Sequence, residues 1–267
     1  MIPVAHLLAI ACYVSAACLA AAPFARPISA PVRGVITLLA AGILAHLAGL
    51  AAYVRAFGVL PLTGLGPALS FAALVMAASL LVVEALAREV SLSLIAAPLA
   101  ALATAFGLMA GLTPAHDPAA AGLWLESHVA LSFVGIAAFA TAAAAGAMYL
   151  VERRELRSRQ FGAVFRFFPP LETLDRVNHV AAITGWLALT AGIALSAAYS
   201  FALRDADSLK LIWGTSAWLA VTAITAGRVV GGWSSRRAAV VSSILFAAIV
   251  VLYVAFRLAD PEPGCFL

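Results

Sequence analysis

The chain has 267 residues, of which 64% are hydrophobic and only 10% charged, with a mean hydropathy of +1.06. A soluble domain of this length needs far more polar surface than that to cover its core, so the chain reads as a polytopic membrane protein. The formal net charge of +4 is modest and calls for no nucleic-acid partner.

A helix that crosses the hydrocarbon core needs about 20 apolar residues. Segments that meet or approach this length run over residues 4–22, 35–53, 68–86, 93–112, 125–150, 181–201, 211–227 and 238–258, the seventh being the shortest. Long alanine-rich segments exclude an outer-membrane barrel, whose strands are short and alternate in polarity. The expected fold class is therefore an all-α integral membrane protein, a single domain spanning 1–267 and built as a bundle of about eight transmembrane helices.

The first helix opens with MIPVAHLLAIACYVS, which lacks a basic n-region and reads as an uncleaved span. Cys12 and Cys18 are turned to different faces of it, and Cys265 stands third from the end. They match neither a metal pair nor a redox Cys-x-x-Cys, so packing is the simpler assignment. Helices three and four are joined by a tight turn (AREVS), and helices four and five by TPAHDPAAAG. The longest connection, 152–180, begins with the basic ERRELRSRQ, continues helix five into the headgroups, and ends in FFPPLETLDRVNH. Pro169 and Pro170 break the chain there. Apolar residues at 171, 174 and 177 point to a surface-lying connector, with a short interfacial helix before helix six.

Arginines set the expected orientation. With eight spans both termini share one face, and the loops after helices one, three, five and seven hold most of the sixteen basic residues, among them Arg33, Arg153, Arg154, Arg157, Arg228 and Arg236. The opposite face holds only Arg55, Arg204, Lys210 and Arg257. The positive-inside bias then puts both termini outside, on the periplasmic side of a bacterial inner membrane.

Ionisable groups inside a bilayer are costly and mark function by default. Carboxylates occur only near helix ends or in loops, as with Glu84, Glu89 and Glu126, and no repeat or pair of interrupted helices is visible. A small-molecule permease is therefore disfavoured. No nucleophile–base pair stands out either, which favours a carrier or chaperone over an enzyme. Of the five histidines, His6 and His116 fall near the outer surface and His179 near the inner one. His46 is the deepest titratable group, about 12 Å inside the outer end of helix two, and His128 lies at similar depth on helix five. Two imidazoles at one depth are what a bis-histidine metal or haem site requires. Gly42 and Gly49 share the face of His46 and leave room for something flat or for close helix packing. Trp124, one turn above His128, reads either as a ring against a macrocycle or as an interfacial anchor. Ser132, one turn below, can orient an imidazole. The alternative for each histidine is a hydrogen bond to a neighbouring helix.

The stretches WLESHVALSFVGIAAFATAAAAGAMYLVERRELRSR, FPPLETLDRVNHVAAITGWLALTAGIALSAAYS and WLAVTAITAGRVVGGWSSRRAAVVS resemble the cytochrome c assembly family, in particular its small HemX-like and YpjD-like eight-helix inner-membrane branch. The resemblance covers about residues 35–256, and its most specific pieces are SHVALS, PPLETLD and GW-x-x-RRAA. It implies haem handling at the outer leaflet, with His46 and His128 as axial ligands, Trp124 and Ser132 packing the haem or orienting a ligand, and no other metal. The implied partners are the lipid bilayer and cytochrome c maturation components.

Two departures stand out. The outer loop SFALRDADSLKLIWG lacks the tryptophan-rich Trp-Asp signature of larger relatives, and TAGR carries Ala226 where relatives have a histidine before the retained Arg228. A ligand or relay that depends on that histidine cannot operate here. HemX-like relatives also point to an alternative, a regulatory or scaffold protein linked to tetrapyrrole synthesis without bound haem. Such a protein would dock a cytosolic partner on the basic stretch between Arg153 and Arg176.

Overall fold

The computed structural model describes residues 1–25, 31–62, 64–87, 90–114, 123–159, 168–203 and 208–259. His116, Cys265, Arg26, Arg88, Glu89, Arg166, Arg204 and the middle of the basic connector lie outside the described residues. The described elements are eight helices: α1 (Ile2–Ala25), α2 (Val32–Phe57), α3 (Leu65–Ala87), α4 (Ser93–Ala110), α5 (Leu123–Ser158), α6 (Leu171–Leu203), α7 (Ser208–Val229) and α8 (Ser235–Ala259). Helices satisfy every backbone group within one segment, the condition that hydrocarbon imposes on a spanning chain. Alanine and leucine, which dominate these segments, are also the best helix formers.

Seven of the helices are long and apolar enough to cross a membrane, and α7 is the one that is not among them. It corresponds to the shortest expected span. At 22 residues it is long enough, about 33 Å by its rise, but it interleaves Thr215, Ser216, Thr222 and Thr225 with its apolar positions. It packs between α6 and α8, where Thr225 is buried, while the Ser216 hydroxyl donates to the Ile212 carbonyl of its own helix at 2.7 Å. The outer surface carries large exposed apolar side chains such as Leu7, Leu44, Leu99, Phe106 and Val251, as befits a chain whose solvent is hydrocarbon. This is a multi-pass membrane protein.

The bundle is organised as two sets of four. In the first, α1 packs on α2 and α4, and α3 on α4 and α2; in the second, α5 packs on α6 and α8, and α7 on α6 and α8. The α3–α5 contact joins them, with Phe71 against Phe133 at 5.7 Å between ring centres. Glu84, buried at the end of α3, accepts the backbone N–H of Ser93 at 2.6 Å and its hydroxyl at 2.7 Å. A carboxylate on the free amides of a helix N-terminus is stabilising, and it closes the α3–α4 hairpin. In the second set, buried Asn178 of α6 donates to the carbonyl of Ala142 on α5 at 2.7 Å and to the hydroxyl of Ser242 on α8 at 2.8 Å.

The short interfacial helix expected at LETLDRVNH is instead the first two turns of α6, which runs unbroken from Leu171. No helix breaker separates Leu171 from the span, and the bonds of Asn178 hold this part inside the bundle. The basic ERRELRS is likewise the last part of α5, whose 36 residues reach about 54 Å, well beyond the hydrocarbon thickness.

Candidate functional site

His46 faces the interior of the first four helices and is fully buried. Its neighbours come from α1 and α3. Its Nε2 is 2.8 Å from the hydroxyl of Ser70, and its Nδ1 is 3.3 Å from the hydroxyl of Tyr13. His6, equally buried, brings its own Nε2 to the same Ser70 oxygen at 2.9 Å, while its Nδ1 lies 2.7 Å from the carbonyl oxygen of Ile2. The two imidazoles meet edge to face, 5.0 Å between centres.

The glycines beside His46 explain how α1 comes so close. A Cβ on Gly42 would stand 2.7 Å from the Tyr13 ring, and one on Gly49 would stand 2.7 Å from the His6 ring. The room on this face is therefore filled by two side chains of α1.

His128 sits in a different setting. It is half-buried near the start of α5, where its Nδ1 donates to the carbonyl of Gly192 on α6 at 2.7 Å. Gly192 permits this approach, since a Cβ there would lie 3.3 Å from the Ser132 hydroxyl. Gly135 and Gly185 continue the close α5–α6 seam, with Leu189 packed where a Cβ on Gly135 would go. Ser132 donates to the backbone carbonyl of His128 at 2.8 Å, so the Gly192 carbonyl, not the serine, orients the ring. Trp124, one turn toward the helix start, is 53% exposed.

The structure does not bring His46 and His128 against each other. Among the described residues helices α2 and α5 share no extended interface, and α3 packs against both. Ser70 of α3 takes His46, while the next residue, Phe71, takes Phe133 of α5. Helical rise along each chain predicts depth but not which neighbour a side chain faces.

A haem or metal ligand needs a nitrogen lone pair. A carbonyl oxygen only accepts, so Nδ1 of His128 carries the proton, and in a neutral ring the lone pair is on Nε2, which has no described partner. An N–H held by a carbonyl is the usual support behind a metal-binding histidine. The residues around His128 thus fit an axial ligand, whereas both nitrogens of His46 are engaged. Groups of three or more His, Cys, Asp or Glu that would hold a bare metal ion do not occur among the described residues.

A second polar cluster lies at the opposite end of the second four helices. Arg228 of α7 pairs with Asp175 of α6 through two bonds, 2.5 and 3.1 Å. Ser235 and His179 also face Asp175. Trp233 packs on Gly227, and the Arg237 guanidinium lies 4.4 Å from the Trp233 ring centre. The sequence pieces PPLETLD, TAGR and GW-x-x-RRAA therefore converge on one spot. Ala226 is exposed beside it. Sequence reading missed His6, Tyr13 and Ser70 as partners of His46. It also missed that Trp186 and Trp218 meet in one core cluster, Trp218 donating to the Thr190 hydroxyl at 2.9 Å.

No curated protein and no solved structure matches the chain. The model of the family described as cytochrome C assembly protein matches residues 62–261, which takes in α3 to α8, Ser70, Trp124, His128, Asp175 and Arg228, and leaves α1, α2 and His46 outside. Since the match covers well over half of the sequence, the chain belongs to the cytochrome c assembly protein family and has a role in cytochrome c maturation.

Proposed function

We propose that the protein handles haem for cytochrome c maturation at the outer face of a bacterial inner membrane, as a member of the small HemX-like and YpjD-like branch. The observation that supports this reading is the pose of His128: Nδ1–H on the Gly192 carbonyl, Nε2 without a partner among the described residues, and an exposed indole one turn away. Trp124 offers a flat apolar face to a macrocycle, and Ser132 secures the backbone from which His128 projects. His46, the second expected ligand, reaches iron only by giving up its bond to Ser70 or to Tyr13. When bound, haem supplies the cargo for cytochrome c, and the chain supplies a ligand, a stacking face and shelter from water.

The test is the absorption spectrum of detergent-purified protein after expression with ample haem, beside His128→Ala and His46→Ala. A Soret band in the wild type that is lost in His128→Ala supports the reading. No Soret band overturns it, and the regulatory alternative then takes its place. That alternative draws on the exposed Arg154 and Arg157 at the end of α5 and Arg176 at the start of α6, which stand at one end of the bundle. It predicts a phenotype from charge reversal at those arginines in a protein without haem.

A further inference from the structure

We propose that the corner between α7 and α8 binds an acidic phospholipid, with Arg236 and Arg237 on its phosphate and Val229 and Val230 against its acyl chain. This goes beyond haem handling and does not depend on it.

The corner is built to hold one arginine in place. Val229 ends α7, and the amides of Val230 and Gly231 both return to the Ala226 carbonyl, at 2.8 and 3.0 Å. Gly232 takes a φ of 57°, which glycine adopts without strain, and the chain doubles back. Trp233 then folds onto α7. Its amide donates to the Gly227 carbonyl at 3.0 Å, and a Cβ on Gly227 would stand 2.4 Å from the indole. Arg237, in the first turn of α8, sets its guanidinium 4.4 Å from the centre of that ring. The indole is thus a platform fixed to α7, and the cation–π contact limits where the guanidinium can go.

A ring attracts the charge of a guanidinium but supplies no oxygen, so the five N–H donors of Arg237 still call for acceptors. The carboxylates of α6 are already engaged: Asp175 holds Arg228, and Glu172 holds Arg176 at 3.3 Å. The sequences of α7, the turn and α8 contain no carboxylate, and neither does QFGAVFRFFPP between α5 and α6. Arg236 and Arg237 are both exposed, so an oxyanion from outside the chain can reach them.

The same corner is also apolar, with Val229 and Val230 63% and 86% exposed. An acidic protein surface would pair with the arginines and set this apolar tip against charge. A phospholipid brings both partners in one molecule, a phosphate at headgroup level and an acyl chain just below it. An acidic lipid is favoured over a zwitterionic one, whose own cationic group competes with the arginines for the phosphate.

The experiment uses the full-length protein in detergent, stripped of lipid, with phosphatidylglycerol, phosphatidylcholine or inorganic phosphate added. Native mass spectrometry reads bound lipid, and circular dichroism reads the thermal unfolding temperature. Phosphatidylglycerol is expected to bind and to raise that temperature, and the other two to do neither. Arg237→Gln is expected to weaken phosphatidylglycerol binding by about tenfold, through the loss of charge-assisted bonds. Arg237→Lys keeps the charge without the planar fork and is expected to recover only part of the loss. Arg157→Gln, at the end of α5, is expected to leave binding unchanged. Equal binding of the two lipids overturns the proposal, as does full binding by Arg237→Lys or an equal loss in Arg157→Gln, since each means diffuse headgroup contact. Stabilisation by inorganic phosphate equal to that by lipid also overturns it and makes the corner a site for a free anion. The wild-type comparison of the two lipids decides the matter even where a variant fails to fold.

Discussion

The Nε2 of His46 lies 2.8 Å from the hydroxyl of Ser70, and this bond ties a helix outside the family-matched region to the first helix inside it. Together with the His6 bond to the same oxygen, it makes Ser70 a polar contact at which α1, α2 and α3 meet. In hydrocarbon a buried donor without a partner has no water to turn to, so this contact sets how the α1–α2 pair seats on α3.

Ser70→Ala removes both bonds and leaves the Nε2 atoms of His46 and His6 buried and without that partner. The expected cost is about 2–4 kcal/mol, from two unsatisfied groups. Ser70→Thr keeps the hydroxyl and is expected to recover most of it. Thermal unfolding in detergent, followed by circular dichroism, measures the difference.

Close approach of α1 to α2 depends on the glycines of α2. Gly49→Ala drives a methyl into the His6 ring, 2.7 Å from the new carbon, and is expected to destabilise by about 1–3 kcal/mol. Gly214→Ala on α7, where the added carbon has nothing within 4 Å, serves as the control and is expected to stabilise by up to about 1 kcal/mol. Equal losses at the two positions would show that the α1–α2 contact does not limit stability.

Asp175 and Arg228 join the start of α6 to the end of α7, their side chains 25% and 12% exposed. Partial exposure tempers the penalty of breaking the pair, so Arg228→Ala is expected to cost about 1–3 kcal/mol. A double-mutant cycle with Asp175→Ala should return a coupling energy of about 1–2 kcal/mol. Coupling near zero would mean that Ser235 and His179 hold Asp175 without the arginine.

The proposed orientation predicts labelling from opposite sides. With Cys12, Cys18 and Cys265 replaced by serine, single cysteines at Arg154 and Arg236 should react with a membrane-impermeant maleimide only from the cytosolic side. A cysteine at Arg55 should react only from outside. The reverse pattern would place His128 at the inner face and sink delivery to the outside.

Composition and pattern alone determined that this chain is a helical membrane bundle, because runs of about 20 apolar residues have few other stable fates. They also led to an expectation of eight spans, of which seven match helices long and apolar enough to cross a membrane, the shortest expected one being the exception. The block pattern of SHVALS, PPLETLD and GW-x-x-RRAA carried the family resemblance, which the match over 62–261 supports. Helical rise put His46 and His128 at similar depth, yet rise says nothing about azimuth. Only packing decided that His46 turns toward Tyr13, His6 and Ser70, and that His128 turns toward Gly192. The same holds for Asp175 and Arg228, fifty-three positions apart in sequence and in contact in space. The glycines of α2 read equally well as a cofactor cradle or a packing seam. Which one they are depends on whether another helix brings a ring into the gap, and α1 brings two.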